Sequence, residues 1–256
     1  MKAIILAAGL GTRLRPLTDT VPKCLVPIKG RPLLDIWLEQ LSSAGLGPFL
    51  VNTHHLADEV RRHVCRSPHG SEVTLIHEPE LLGTGGTLLV NREFIGREPV
   101  LLVHADNLCV CDIRSFVRAH KARPAGTVMT VMTFVTNTPG SCGIVRLDER
   151  GVVVELHEKV ADPPGNLANG AVYIVEPEVV DFMATLGTHR IDFITEVVPR
   201  FLGRVFAWRN HGTHIDIGTP ASLHAARSEV SFSQRRSSDP SNPQSAAHSK
   251  EPCARP

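Results

Sequence analysis

The stretch that most limits what this chain can become is its first: KAIILAA over residues 2–8, followed at once by Gly9 and Gly11. An apolar run without polar alternation has no face to give to water, so as a strand it must be covered on both sides. The sequence then supplies the covers. PLLDIWLEQLSSAG, from Pro32, sets Leu33, Leu34, Trp37, Leu38 and Leu41 at helical spacing, with proline near its start and Gly45 at its end. FLVNT and EVTLIHE read as strands with HLADEVRRHV as a helix between them. Beyond the glycine-rich LLGTGGT comes another helix, then VLLVHAD as a second buried strand. DIRSFVRAHKA follows as a helix with Asp112 at its cap, and TVMTVMTFV as a strand. Such alternation predicts an α/β fold, a mainly parallel sheet with helices on both faces.

After residue 140 the pattern changes. GIVRLDERGVVVELHEK reads as a hairpin turning at Asp148–Gly151, and AVYIV as a strand. PEVVDFMATLG and FITEVVPRFL read as helices, RVFAWRN and THIDIG as strands, and TPASLHAARSE as a closing helix capped by Thr219. From about Phe232 serine, proline, glutamine and arginine replace nearly all apolar residues. One domain over residues 1–228 and a disordered polar tail over 229–256 are therefore expected.

Bulk properties exclude several classes. A formal net charge of +1 gives no support for a nucleic-acid partner or a membrane surface. No apolar run approaches the roughly 18 residues of a membrane span. Charged Arg13, Arg15 and Asp19 directly after the first apolar run mark it as a strand, not a signal peptide. Six cysteines lack any Cys-x-x-Cys pair, so reduced thiols in a cytoplasmic protein are expected. The scattered histidines lack zinc spacing and read as polar residues at loop edges, with His54 or His55 available to cap HLADEV.

A strand running into glycines and a turn of backbone N–H groups is a ready anion site. A P-loop needs Gly-x-x-x-x-Gly-Lys-Ser/Thr, which is absent; a dinucleotide fingerprint needs a third glycine where Leu14 stands. What remains is GLGTRLRPLT followed by Pro22-Lys23. Arg13 offers a planar fork to phosphate oxygens, and Lys23 a compact charge. A solvated strand-to-loop turn is the alternative.

LAAGLGTRLRPLT…PK resembles the signature of the sugar-1-phosphate nucleotidyltransferases, and further matches follow in order to about residue 227. The resemblance implies a Rossmann-like three-layer α/β/α sandwich of the nucleotide-diphospho-sugar transferase type. It implies attack by a sugar-1-phosphate oxygen on the α-phosphorus of a nucleoside triphosphate, with pyrophosphate leaving. Ala8, Gly9, Gly11, Thr12, Arg13 and Lys23 are then expected around the nucleotide, Arg13 and Lys23 also as catalytic cations. Gly83, Thr84 and Gly85, in a second glycine loop, are expected to lay backbone groups along the base. Asp106 and Asp216 are expected to hold Mg²⁺, a hard cation suited to carboxylates. Asn107, Glu158, Lys159, Asn169 and Gly170 are expected around the sugar phosphate.

Two departures stand out: His104-Ala105 before Asp106, where relatives often have glycine, and Val160 where they have proline. Over the whole chain the resemblance is greatest to single-domain mannose-1-phosphate guanylyltransferases, giving GTP and mannose 1-phosphate as the expected substrates. Heptose-1-phosphate guanylyltransferases come next, then uridylyl- and thymidylyltransferases. A homodimer is compatible with all of these. The reading from another class is a catalytically inactive subunit that senses sugar nucleotides.

Overall fold

The KAIILAA run becomes β1 (Ala3–Leu6), every residue of which is buried. Its alternate side chains enter two different cores. Ile4 and Leu6 join one, while Ala3 and Ile5 join the other. The structure, a computed structural model, describes residues 1–229; the polar segment expected as a tail lies outside the described residues from 230 onward.

In chain order the first half runs β1, β2 (Pro27–Ile28), β3 (Arg31–Pro32), α1 (Leu33–Ser43), β4 (Phe49–Thr53), α2 (Ala57–Arg66), β5 (Val73–His77), α3 (Gly83–Val90) and α4 (Arg92–Ile95). There follow β6 (Val100–His104), β7 (Asn107–Cys109), α5 (Ile113–Lys121) and β8 (Met129–Val135). The second half holds β9 (Gly143–Leu147), β10 (Val153–Glu158), β11 (Leu167–Val175), α6 (Pro177–Ala184), β12 (Val205–Arg209), β13 (His214–Asp216) and α7 (Pro220–Glu229). The main sheet has the order β10-β9-β11-β6-β1-β4-β5, with β8 pairing β11 and β12 off this path. β6, β1, β4 and β5 are parallel, and β11 lies antiparallel against β6 and β8. This is the mainly parallel mixed sheet expected from the sequence.

Helices cover both faces. Trp37 and Leu41 of α1, Val60 and Val64 of α2, and Phe116 of α5 share one core with Ile5, Val51 and Val103. On the other face Leu88 of α3, Val179 and Met183 of α6 and Phe193 share a core with Ile4, Leu50 and Leu102. Asp112 caps α5 as expected, accepting from the Ser115 amide at 2.9 Å, and Thr219 accepts from Ser222 at 3.1 Å at the start of α7. Among the described residues no helix is long and apolar enough to cross a membrane.

Three local expectations need correction. FITEVVPRFL does not form an α-helix; Pro199 has no N–H to donate, and the segment divides into a π-turn (Phe193–Val197) and a 3₁₀ turn (Val198–Phe201). LLGTGGT is not a loop throughout, because α3 begins at Gly83. Neither His54 nor His55 caps α2, since their ring nitrogens bond the carbonyls of Glu78 and Thr18 at 2.7 and 2.9 Å.

A buried cluster ties α5 to the sheet. His120 is 1% exposed, with Nδ1 2.8 Å from Thr130 Oγ1 and Nε2 3.2 Å from Glu176 Oε1. Burial, aided by the Arg123 cation, pulls this imidazole down to about 4. The unfolded chain protonates it near pH 6.5, so the unfolded state binds more protons between those values. The stability linked to His120 is thus fully present above about pH 6.5 and is lost as pH falls toward 4. In denaturant titrations, wild type should lose about 2 kcal/mol more than His120→Gln between pH 7 and pH 5; equal losses would contradict this.

Candidate active site

Three distant segments meet at the carboxyl ends of β1 and β6. Leu14, Val26 and Ile28 of the N-terminal loop pack with Leu108, Ile217 and Leu223, which seats the loop on β7 and α7. β13 pairs antiparallel with β7, setting Asp216 opposite Asn107. Trp37 Nε1 donates to the Asn107 carbonyl at 2.9 Å and fixes β7 from the α1 side. The outcome is a charge cluster. Lys23, with its side chain only 8% exposed, sets Nζ 2.6 Å from Asp106 Oδ2 and 3.3 Å from Asp216 Oδ1. Asp216 Oδ1 also accepts from the Gly218 amide at 2.8 Å, and the Arg13 guanidinium lies 3.9 Å from Asp216 Oδ2. Burial opposes ionisation of Asp106, but the Lys23 ammonium, the nearby His104 and a backbone hydrogen bond together outweigh it and hold that carboxyl below the usual range.

Two cavities adjoin this cluster. The first, about 200 Å³, is lined by Ala8, Gly9, Lys23, Gly83, Thr84 and Asp106, with Asn52, Glu78 and His104 among the others. The second, about 660 Å³, contains Arg13, Asp106, Asn107, Glu158, Lys159, Asn169, Gly170 and Asp216. His104 and Asp106 belong to both walls. Thus the structure gathers most of the expected nucleotide residues in one cavity and all the expected sugar residues in the other. Gly11, Thr12 and Gly85 line neither.

The glycines hold these walls for different reasons. Gly11 sits at φ 64°, and a Cβ there would lie 2.8 Å from Thr18 Cγ2, while Thr18 Oγ1 donates to the Gly11 carbonyl at 2.7 Å. Around α3 the constraint is close approach to another segment. A Cβ on Gly86 would sit 2.1 Å from the His189 carbonyl oxygen, and one on Gly83 2.4 Å from that of Ile191. The Gly85 and Gly86 amides donate to the Ile191 carbonyl at 2.9 and 3.2 Å. The second glycine motif is therefore a packing surface for residues 189–193 as well as a cavity wall.

Several site residues escape sequence reasoning. Glu78 is 3% exposed and follows directly on β5. It accepts from Thr87 Oγ1 at 2.6 Å and Asn52 Nδ2 at 2.9 Å, while Asn52 Oδ1 accepts the Ala7 amide at 2.7 Å. This chain of bonds locks the ends of β1 and β4 to α3. No motif marks it, because Asn52, Glu78 and Thr87 lie in three separate segments that meet only in the fold.

The far wall of the larger cavity is an irregular stretch of β11. Its register with β8 shifts between Asn169 and Tyr173, and Ala171 takes φ 52°. Asn169 spans the irregularity: Oδ1 accepts the Ala171 amide at 2.9 Å and Nδ2 donates to the Tyr173 hydroxyl at 2.5 Å. Both ends of this amide are engaged by the chain itself, so Asn169 holds Gly170 in place. On the facing side, burial pulls His104 below its ordinary value despite the opposing pull of Asp106, and holds His214 at about 4. Lys159, at φ 50°, donates its amide to the Cys142 carbonyl at 3.2 Å and sets Nζ 3.3 Å from Glu158 Oε1. Among the described residues no group of three or more His, Cys, Asp or Glu side chains is arranged to hold a metal.

With this geometry in place, a model of the nucleotidyl transferase domain matches residues 2–232. The chain belongs to the nucleotidyl transferase family. It is 35% identical over 188 residues to a glucose-1-phosphate thymidylyltransferase of Streptomyces griseus, covering 73% of this chain and 52% of that protein. It is 31% identical over 227 residues to a mannose-1-phosphate guanylyltransferase catalytic subunit beta of Xenopus tropicalis, covering 86% and 62%. This transferase chain thus spans between half and two thirds of the length of those relatives. Among solved structures, HddC from Yersinia pseudotuberculosis, complexed with GMP-PN, superposes with a TM-score of 0.75 at 25% identity, covering 88% of this chain and 97% of that one. A putative glucose-1-phosphate thymidylyltransferase from Bacillus anthracis gives 0.80 at 22% identity, covering 91% and 97%, a likeness of fold.

The glycine geometry of this nucleotidyl transferase can be tested by melting. Gly86→Ala forces backbone apart and should cost about 1–3 kcal/mol, lowering the melting temperature by at least about 3 °C. Gly9→Ala meets nothing within 4 Å and should leave it unchanged. Equal melting temperatures for the two variants would show that α3 does not need its glycines for packing.

Proposed function

We propose that this chain transfers a nucleotidyl group from a nucleoside triphosphate to a sugar 1-phosphate, giving a nucleoside-diphosphate sugar and pyrophosphate. The observation that carries this reading is the charge cluster at the junction of two cavities, with Asp106 on both walls. A two-substrate reaction joining a nucleotide to a second phosphate needs such a junction. In this reading the smaller cavity takes the base and sugar of the nucleotide. Arg13 and Lys23 face its phosphates, and Glu158 and Lys159 face the sugar phosphate. An oxygen of the sugar phosphate attacks the α-phosphorus, the bond to the β-phosphate breaks, and pyrophosphate departs with its electrons. Such transfer depends on positioning and charge neutralisation rather than a covalent nucleophile.

The donor set fits a divalent cation. Asp106 and Asp216 both contact one ammonium, and this pair of hard carboxylate donors would hold a divalent cation in that place. When bound there, Mg²⁺ would supply charge neutralisation to the phosphates through carboxylate and water oxygens. Lys23 would give up a carboxylate for a phosphate oxygen. Asn169 braces the β11 irregularity and, from the wall of the larger cavity, still has an N–H and a lone pair to offer the sugar.

GTP and mannose 1-phosphate are the proposed pair, supported by the longer match to the guanylyltransferase relative. Thymidylyl transfer to glucose 1-phosphate is the second reading, favoured by the higher identity of the Streptomyces relative. We place the reaction in the cytoplasm, where the thiols of Cys24, Cys109, Cys111 and Cys142 stay reduced.

A matrix of nucleoside triphosphates against mannose, heptose, glucose and amino-sugar 1-phosphates, read by pyrophosphate release with and without Mg²⁺, tests the assignment. GTP with mannose 1-phosphate should be fastest and should need the metal. Lys23→Ala and Asp216→Ala should each lower kcat at least about a hundredfold, the scale of one lost transition-state contact, while circular dichroism stays native. Near-normal turnover in both variants would refute the assignment. Sugar-nucleotide binding without any pyrophosphate release would instead identify a regulatory subunit.

A further inference from the structure

Two imidazoles stand apart from the other histidines. His54, His55, His63, His69, His120 and His157 are at least half-buried, and each engages a ring nitrogen with a hydrogen-bond partner. Among the described residues, His104 and His214 are the half-buried histidines whose rings make no hydrogen bond. The Nδ1 of His214 is fully buried and has no partner. Both histidines line the larger cavity.

The ring of His214 is held in place by its surroundings. It belongs to β13, which is laddered to β7, and its centroid lies 4.2 Å from that of Phe134. A Cβ on Gly170 would lie 3.6 Å from its Cε1 and Nε2, so the irregular part of β11 closes over its outer edge. A fixed polar ring without partners leaves water without recovering the lost hydrogen bonds. The other nitrogen, Nε2, also lacks a partner but is not fully buried, so a ligand in the cavity can engage it. Charged groups share the same wall: Arg13, Glu158 and Lys159, and also Asp106 and Asp216, each two residues from one of the imidazoles. The imidazoles add neutral donor and acceptor nitrogens, and a hydroxyl can serve both roles. A carboxylate only accepts and an ammonium only donates.

We propose that His214, with His104 beside it, selects the acceptor by hydrogen-bonding hydroxyls of an uncharged sugar ring. This rests on the nucleotidyl-transfer reading above and adds that sugar choice lies on the β6 and β13 side of the larger cavity. It assigns a specificity role to His104, where this sequence departs from its relatives, and to His214 of β13.

The test compares wild type with His214→Phe, which keeps the ring shape and removes both nitrogens, and with His214→Gln, which keeps a donor and an acceptor. Each is assayed with the best acceptor from the matrix and with its monodeoxy analogues, at fixed saturating nucleotide. His214→Phe should raise the KM for the acceptor tenfold or more while the KM for nucleotide stays within twofold. One deoxy analogue, poor with wild type, should be used equally by both enzymes. His214→Gln should keep more of the discrimination, and it carries the test if the Phe variant does not fold. Saturation-transfer NMR of the acceptor on each protein reads the same loss without turnover. An acceptor KM within twofold and an unchanged deoxy ranking would overturn the proposal. Wild type that releases pyrophosphate with no pair would overturn the reaction itself, and the acceptor role with it.

Discussion

The ammonium of Lys23 ties the site together. Its two carboxylate partners lie 83 and 193 residues further along the chain. A buried ion group is weak evidence of stability, because desolvation consumes most of the Coulomb gain. Removing Asp106 is another matter, since it strands the buried Lys23 ammonium with only the exposed Asp216 for a partner. The apolar packing of Leu14, Val26 and Ile28 on Leu108 and Ile217 brings the partners together. The charges then fix the final register of loop, β7 and β13. This division of labour, apolar residues for approach and charges for alignment, recurs at the end of β5, where Glu78 aligns what the core has assembled.

The position of that cluster follows from the first strand. Because β1 is covered on both faces, its ends are the parts of it open to ligands, and parallel neighbours on both sides bring their carboxyl ends to the same edge. Ligands in open α/β sheets bind along that edge. The antiparallel β11 interrupts the parallel run beside β6. Its irregular stretch then becomes the opposite wall of the larger cavity. The mixed sheet thus sets a regular parallel edge against an adjustable antiparallel one.

Much of this was legible in the sequence. β1, β4, β6 and β8 announced themselves as apolar runs, α1 by its spacing, and the caps at Asp112 and Thr219 by residue type. Asp106 was legible because a carboxylate closing an apolar strand has to stand at the ligand edge. What stayed hidden depends on non-local contact. Glycines in LLGTGGT look like flexibility, yet residues 189–193, a hundred positions away, press against them. Asn169 looks like a sugar ligand, but its bonds to the Ala171 amide and the Tyr173 hydroxyl, which also brace the irregularity of β11, appear only in the fold. Glu78, Asn52 and Thr87 carry no shared motif, since the network joining them exists only after β4, β5 and α3 have docked. FITEVVPRFL has helical periodicity, but the proline within it breaks the hydrogen-bond ladder.

The wall shared by the two cavities has a further consequence. His104 and Asp106 line both spaces, so the two adjoin there. A molecule that extends from one space into the other is held at two ends by a rigid frame. Once its first end is seated, the second binds as an intramolecular event at a high effective concentration. Two fragments that each bind weakly would then gain from being joined, in proportion to how well the linker matches the span. The same geometry slows departure, because a joined molecule leaves only when both ends have let go.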